Sequence, residues 1–417
     1  MRYTLAIIAL LPWALAHLLW RARRQPEYLR HWGERFGFFG TRSPAPTLWI
    51  HAVSVGEARA AEPLIAALRT RYPDHRILLT HMTPTGRATS ETLFGNTVER
   101  VYLPYDTPGA MRRFLNHFRP DIGLIMETEL WPNLIASCKE RNIPLLLVNA
   151  RLSEKSARRY ARFPTLTRTA LQNLSAITAI GSDDAQRLTA LGAAEVQVAG
   201  SMKFDITPPP AMIERSAALR TLCGQRPVFL CASTREGEEA LILDVWQKVD
   251  AGNTALLIIV PRHPQRFDEV ARLIEQRGLA LQRRSSSAPV ETATRVWLGD
   301  SMGEMFAYYA AADVAFVGGS LRDFGCQNLI EACAVGTPVL VGPSIFNFPD
   351  ATRGALASGA ALQVSDAGQL VTMARQLLKD DSTRHAMSDA GRSFAASHRG
   401  ATQRNLELIE RFIPAAR

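Results

Sequence analysis

LWIHAVSVGEARAAEPLIAALRTRYPDHRILLTH, residues 48–81, decides how the chain folds. The apolar run LWIHAV gives way near Ser54 to ARAAEPLIAALRTRY, whose apolar residues recur at helical spacing, and a second apolar run, RILLTH, follows. Short continuous apolar runs are strands buried on both faces, and a strand–helix–strand unit joins parallel neighbours. RVYLP, IGLIME, PLLLVNA and AITAI carry the same rhythm on to about Gly200. DITPPPAMI, residues 205–213, interrupts it. Three successive prolines continue neither a helix nor a central strand, so the stretch is predicted to link two domains. PVFLCAS, ALLIIVP, RVWLGD, VAFVGG and PVLVGP then resume the rhythm.

The expected class is therefore α/β, with two Rossmann-like domains at residues 23–205 and 206–417 after an N-terminal segment, 1–22. The last helices, about 383–413, are open to crossing back onto the first domain. A length of 417 residues fits two domains, each with its own core. Ligands are expected in the cleft at the carboxyl ends of the strands. RRSSSAP, residues 283–289, reads as a surface loop.

Residues 3–20, YTLAIIALLPWALAHLLW, contain no acid, Lys or Arg. As a helix they extend about 27 Å, close to the hydrocarbon thickness of a bilayer. The RARR that follows puts the body of the protein in the cytosol. A cleaved signal peptide is the competing reading of this segment, through Ala14-Leu15-Ala16; export would carry the arginines across the membrane. Pro12 and His17 interrupt a strict spanning helix, so a shallow monotopic anchor is open beside a single pass. The formal charge of +9 is clustered. Residues 21–42 hold six arginines against Glu27 and Glu34, and RLSEKSARRYAR, residues 151–162, holds five basic residues against Glu154. With no zinc-finger spacing and no RNA-binding aromatic signature, an anionic membrane or a phosphorylated substrate fits these clusters better than nucleic acid. Five cysteines without a CxxC pair read as core thiols of a reduced compartment.

The chemistry-bearing residues fall at strand ends. Gly56 is read as permitting a tight turn and Glu57 as opening a helix behind the first strand. A carboxylate there can take the proton of an attacking hydroxyl, or merely complement the helix dipole, and position alone leaves both open. Glu127 and Glu129 follow IGLIM; they can bind acceptor hydroxyls, supply the base, or be solvated loop acids around a packed Trp131. In the second half, Ser233 and Thr234 read as the cap of a helix N-terminus able to receive phosphate oxygens. Arg262, held between Pro261 and Pro264 with His263, is suited to bidentate anion binding, and His263 to a structural role or, less readily, a catalytic one. Gly303 lies in a loop before a helix. Gly318 and Gly319 end a strand, and a helix is expected near Gln327 or Asn328 with Glu331 one turn in, placed to accept from ribose hydroxyls. No GxGxxG or GxxxxGK[ST] loop is present, which counts against dehydrogenases and NTPases. No acidic pair suggests a divalent-metal clamp, so no metal is assigned.

Taken together, WGERFG (32–37), HAVSVGE (51–57), THMTPTG (80–86), METELWPN (126–133), VNARLS (148–153), GSMKFD (200–205), STREGEE (233–239), PRHPQRF (261–267), GDSMGE (299–304), VGGS (317–320), QNLIEA (327–332) and GPSIFNF (342–348) resemble the bacterial Kdo (3-deoxy-D-manno-octulosonic acid) transferases, in family order over nearly the whole chain. The resemblance implies the GT-B architecture, an acceptor-binding N-terminal domain and a donor-binding C-terminal one. It implies inverting transfer from CMP-Kdo to a phosphorylated lipid A precursor at the inner membrane, without a metal or other cofactor. It implies Glu57 as general base, with Ser54, Gly56, Glu127, Glu129 and Arg151 on the acceptor side. On the CMP side it implies Ser233, Pro261, Arg262, Gly303, Glu304, Met305, Gly318, Gly319, Asn328, Leu329, Ile330 and Glu331. One departure stands out: family members often carry Gly-Gly-His-Asn where this chain has Gly325-Cys326-Gln327-Asn328, so no proton transfer is assigned to position 327. A UDP-sugar transferase, a nucleotide-sugar epimerase and a non-catalytic scaffold are the competing readings.

Overall fold

A computed structural model describes residues 2–23, 25–41, 45–205, 207–248 and 254–413. Arg24 and Arg42 of the first basic cluster, and Ile206 of the linker stretch, lie outside them. The chain divides into two compact units: Met1–Asp205 with Arg399–Arg417, and Ile206–His398.

Unit 1 is built on β1 (Thr47–His51), β2 (Arg76–His81), β3 (Glu99–Tyr102), β4 (Ile122–Met126), β5 (Leu145–Ala150), β6 (Ala176–Ala179) and β7 (Gln197–Val198). The strands are parallel, in the order 3-2-1-4-5-6-7. Alternation along β1 explains the two-sided core. Leu48 and Ile50 pack on one face with Leu124 and Leu146, and Trp49 packs on the other with Phe114 and Ile125. The helix Ala401–Glu410 closes the first face, its Leu408 and Ile409 packing in the cluster of Leu48 and Ile50. Asp205 caps that helix through the N–H groups of Gly400 and Thr402, and Asn405 accepts from Thr178 Oγ1 at 2.6 Å. The preceding helix, Asp381–Ser397, stays in unit 2.

Unit 2 repeats the plan with β8 (Val228–Thr234), β9 (Leu256–Pro261), β10 (Leu281–Arg283), β11 (Val296–Leu298), β12 (Val314–Val317), β13 (Val339–Val341) and β14 (Ala361–Gln363), all parallel, in the order 10-11-9-8-12-13-14. The strand order reverses between β1 and β4 in the first sheet and between β8 and β12 in the second, where β10 and β11 are also exchanged at the edge. Open α/β sheets bind ligands at that reversal, beyond the carboxyl ends.

The expected linker is shorter than 205–213. Pro210 is the first residue of a helix running to Cys223, because a proline fits the first helical turn, where its missing N–H has no partner to lose. RRSSSAP is likewise not all loop: Arg283 ends β10 and Arg284–Ser286 form a 3-10 turn. The five cysteines are buried and free, and burial pushes each thiol above its ordinary range. The N-terminal segment is one helix, Arg2–Ala22, with Pro12 inside it, and is long and apolar enough to cross a membrane.

Candidate active site

Glu57 sits beyond β1, at the reversal of the first sheet. Ser54 caps the helix Val55–Ala60 and bonds Glu57 twice, accepting from its N–H at 3.4 Å and donating its hydroxyl to Oε1 at 2.8 Å. The Val53 N–H donates to Oε2 at 2.7 Å. This reciprocal bonding fixes the carboxylate. Burial raises its pKa most, helped by the charges of Glu127 and Glu129 and opposed by the Val53 and Ser54 hydrogen bonds. The result is a carboxyl pushed up to about 7. Gly56 does not make a turn: it lies inside the helix, and a Cβ there would meet nothing closer than Ser54 Oγ at 3.8 Å. The glycine required here is Gly86, inside the helix Pro84–Phe94, where a Cβ would lie 2.9 Å from Val53 O and 3.0 Å from Thr83 Oγ1. Thr83 caps the helix Pro84–Phe94 and donates to Val53 O at 3.1 Å, so THMTPTG braces the backbone that holds Glu57.

Glu127 and Glu129, beyond β4, are electrostatic neighbours of Glu57. Glu127 has a left-handed backbone, φ 56°, and its Oε1 lies 3.3 Å from Lys203 Nζ. Burial raises the Glu129 pKa, and the charge of Glu127 adds to the rise. Arg151 directly follows β5, and its carbonyl accepts from Thr128 Oγ1 between the two acids. Lys203 escaped the sequence reading although it lies in GSMKFD, because its partner is 76 residues away.

The corresponding reversal in unit 2 gathers cations. Arg262 Nε donates to Gln327 Oε1 at 3.3 Å, so the residue that departs from the family pattern bonds the arginine expected to bind the donor. Arg235, Arg262 and Arg266 surround His263, and burial first, then their charges, lower its pKa. Arg266 is committed to Glu239 at 2.7 Å and to Glu269 at 3.1 Å, whereas the Arg235 guanidinium stacks 4.5 Å over Phe324. Ser233 is not a helix cap. β8 runs on through Thr234, the helix Glu238–Trp246 starts after Gly237, and Ser233 is left-handed at φ 54°. Gly318 presses against it; a Cβ there would lie 2.5 Å from Ser233 O. Glu238, fully buried, accepts from the N–H groups of Gly319 (2.7 Å), Leu321 (2.9 Å) and Arg235 (2.8 Å), and so shapes the glycine loop.

The helix expected at Gln327 starts three residues later, at Ile330, and is six residues long with Leu329 as its N-cap. Asn328 spans that start, accepting from Ile330 N at 3.0 Å and donating to Glu331 Oε1 at 3.1 Å. Gly303 has φ +77°, and Met305 begins the helix Met305–Ala311. The Glu304 carboxylate is occupied by Arg215 at 2.8 Å and Arg284 at 3.4 Å, which leaves its backbone rather than its charge for a ligand. Pro261 ends β9. Two cavities in unit 1, about 340 and 770 Å³, lie along the 31–41 turn and at the amino ends of β2 and β3, and neither is lined by any of these residues.

Residues 30–206 match the family model of 3-deoxy-D-manno-octulosonic-acid transferase (kdotransferase). Over 98% of both chains, the protein is 46% identical to the 3-deoxy-D-manno-octulosonic acid transferase of Bordetella pertussis. The chain belongs to this transferase family. The enzyme of the same name from Haemophilus influenzae is 37% identical over 99% of this chain and 98% of its own. Residues 254–394 match the group 1 glycosyl transferases. A glycosyltransferase from Rickettsia africae covers 90% of this chain and all of its own at TM-score 0.58 and 13% identity, a likeness of fold. The protein is thus a GT-B glycosyltransferase that moves Kdo in lipopolysaccharide synthesis.

Proposed function

We propose that the donor is CMP-Kdo, bound on unit 2, and that the acceptor is a hydroxyl of a phosphorylated lipid A precursor, bound on unit 1 at the cytoplasmic face of the inner membrane. The observation that carries the proposal is Glu57: a carboxyl at the first sheet's reversal, held by two donors, with a pKa near neutrality. A base poised near the working pH is the effective one. As the acceptor oxygen bonds to the anomeric carbon, Glu57 takes the hydroxyl proton. The bond from that carbon to the phosphate oxygen breaks, and CMP leaves with the electron pair. Attack from the face opposite the leaving group inverts the centre.

Arg262, steadied by Gln327, suits a single phosphate, and Glu331 suits the ribose hydroxyls. A CMP-sugar has no diphosphate for a metal to bridge, so the transfer is proposed to be metal-independent. Purified enzyme incubated with CMP-Kdo and a tetra-acylated lipid A precursor should give products heavier by whole Kdo units, at a rate unchanged by EDTA. Transfer from a UDP-sugar in preference to CMP-Kdo would overturn the donor assignment. Inhibition by EDTA that magnesium reverses would overturn the metal-free step.

A further inference from the structure

The N-terminal helix is apolar enough to span a bilayer, yet it is not a free rod. Tyr3, Ile7, Leu11, Leu15, Leu18 and Ala22 are half-buried or buried, and their spacing puts them on one face along the whole helix. Leu5, Ile8, Trp13, Leu19 and Trp20 on the other side are 48–66% exposed. Both ends are fastened to unit 1. At the start, Tyr3 Oη donates to Asp106 Oδ2 at 2.9 Å and Thr4 Oγ1 to Asn133 Oδ1 at 2.8 Å. At the finish, Leu18 and Ala22 pack with Tyr28, and the Arg21 guanidinium lies 4.6 Å over the Tyr28 ring. Asp106 also accepts from Asn133 N and Leu134 N, so the first attachment is to the helix that begins just after Glu129 and Trp131.

A helix of 21 residues is about 30 Å long. If it crossed the bilayer, its ends would reach opposite faces, and the unit bonded to both would be drawn into hydrocarbon. The charges argue the same way. A spanning segment concentrates basic residues on one flank. Here Arg21 and Arg23 mark one end, while at the other Tyr160, an electrostatic neighbour of Tyr3, ends the helix Glu154–Tyr160 that carries Lys155, Arg158 and Arg159.

Resting on the membrane reading above, we propose that this helix does not span. It lies in the plane of an anionic bilayer surface, its outer face sunk into the boundary between headgroups and acyl chains and its inner face against unit 1. Such a helix holds the Glu127–Trp131 loop close to the surface from which a lipid acceptor is taken.

The test uses the full chain with a spin label at Leu5→Cys or Leu19→Cys, two exposed positions fourteen residues apart on nearly the same face; the native cysteines are buried. The protein is bound to vesicles of phosphatidylethanolamine and phosphatidylglycerol, and depth is read by oxygen and nickel-chelate relaxation. Equal depths, about 5–10 Å below the headgroups, are expected. A depth difference near 21 Å, the rise of fourteen helical residues, would overturn the in-plane placement and leave the membrane reading intact. Failure of the unlabelled protein to sediment with the vesicles would overturn the membrane reading itself.

Discussion

Glu57→Gln isolates the proton transfer. The substitution keeps the side-chain size, and the surroundings can accommodate it: the amide oxygen can accept from Val53 N–H, and the Ser54 hydroxyl can turn to accept from the amide nitrogen. What is lost is basicity. Removal of a general base slows a reaction by about 10²–10⁴, which is roughly 2.7–5.5 kcal/mol on the barrier. The loss should appear in kcat for Kdo transfer, followed by CMP release, with the KM for donor and acceptor nearly unchanged. In the parent enzyme, kcat/KM should rise with pH and reach half its plateau near 7, as the Glu57 carboxyl ionises. A mutant with near-parental turnover, or a parental profile flat from pH 5.5 to 8.5, would refute the assignment and move the base to Glu127 or Glu129.

Stability provides a control. The native carboxyl titrates near 7, above its ordinary value of 4.5, so the folded state holds the proton more tightly than the unfolded one. The contribution is therefore present below the ordinary carboxylate range and is lost as pH rises towards 7. At pH 8 the loss is slightly above about 3 kcal/mol, at about 1.36 kcal/mol for each pH unit that separates the folded and unfolded titration midpoints. Glu57→Gln should thus melt at the same temperature as the parent, or higher, at pH 8, and should lose that advantage below pH 5. A lower Tm at pH 8 would mean that the lost rate reflects damage to the fold.

Arg262→Ala should raise the Kd for CMP roughly 10- to 100-fold by calorimetry, the equivalent of about 1.5–3 kcal/mol for charge-assisted hydrogen bonds, and unchanged affinity would remove Arg262 from the donor site. Gln327→Ala should weaken CMP binding by less, about 0.5–1.5 kcal/mol, since it removes one bond that orients the arginine without removing its charge. Lys203→Met leaves Glu127 without its 3.3 Å partner and so deepens the negative field on Glu57; the midpoint of the pH–rate profile should move to higher pH, and a downward move would contradict the coupling. Reversing Arg158 and Arg159 to Glu should weaken binding to anionic vesicles and raise the acceptor KM without changing CMP affinity, because each basic residue near such a surface contributes about 1 kcal/mol. If vesicle binding and acceptor KM both hold, the 151–162 cluster is only a solvated face.

What could be read in advance divides along physical lines. The central strands β1, β4, β8 and β12 announce themselves because burial on both faces leaves an uninterrupted apolar run, and residues just beyond such runs fall at strand ends; hence Glu57, Glu127, Gly318 and Arg262 were in view. β7, β10 and β14 were not, being two or three residues long at or near sheet edges, with no periodicity to detect. Pro210 misled because the same residue that breaks a helix also begins one. Ser233 misled because a serine followed by acids has the composition of a cap, whereas its strand runs past it. The partners that set the electrostatics, Lys203 for Glu127 and Gln327 for Arg262, lie 76 and 65 residues from the groups they touch, and only the folded sheets bring them together.

Two units built on parallel sheets of differing strand order have been given opposite charge where each sheet reverses. Where the first sheet reverses, three carboxylates converge, and their mutual repulsion together with burial keeps Glu57 protonated further up the pH scale than an ordinary glutamate. Where the second sheet reverses, Arg235 and Arg262 gather beside the glycine loop that the buried carboxylate of Glu238 holds. In the proposed reaction the departing group is an anionic nucleotide and the entering group a neutral hydroxyl. A cationic unit favours the charge that develops on departure, and an acidic one takes the proton released on entry. Exchanging the two fields would stabilise neither change, so the division of charge between the units follows from the direction of the chemistry.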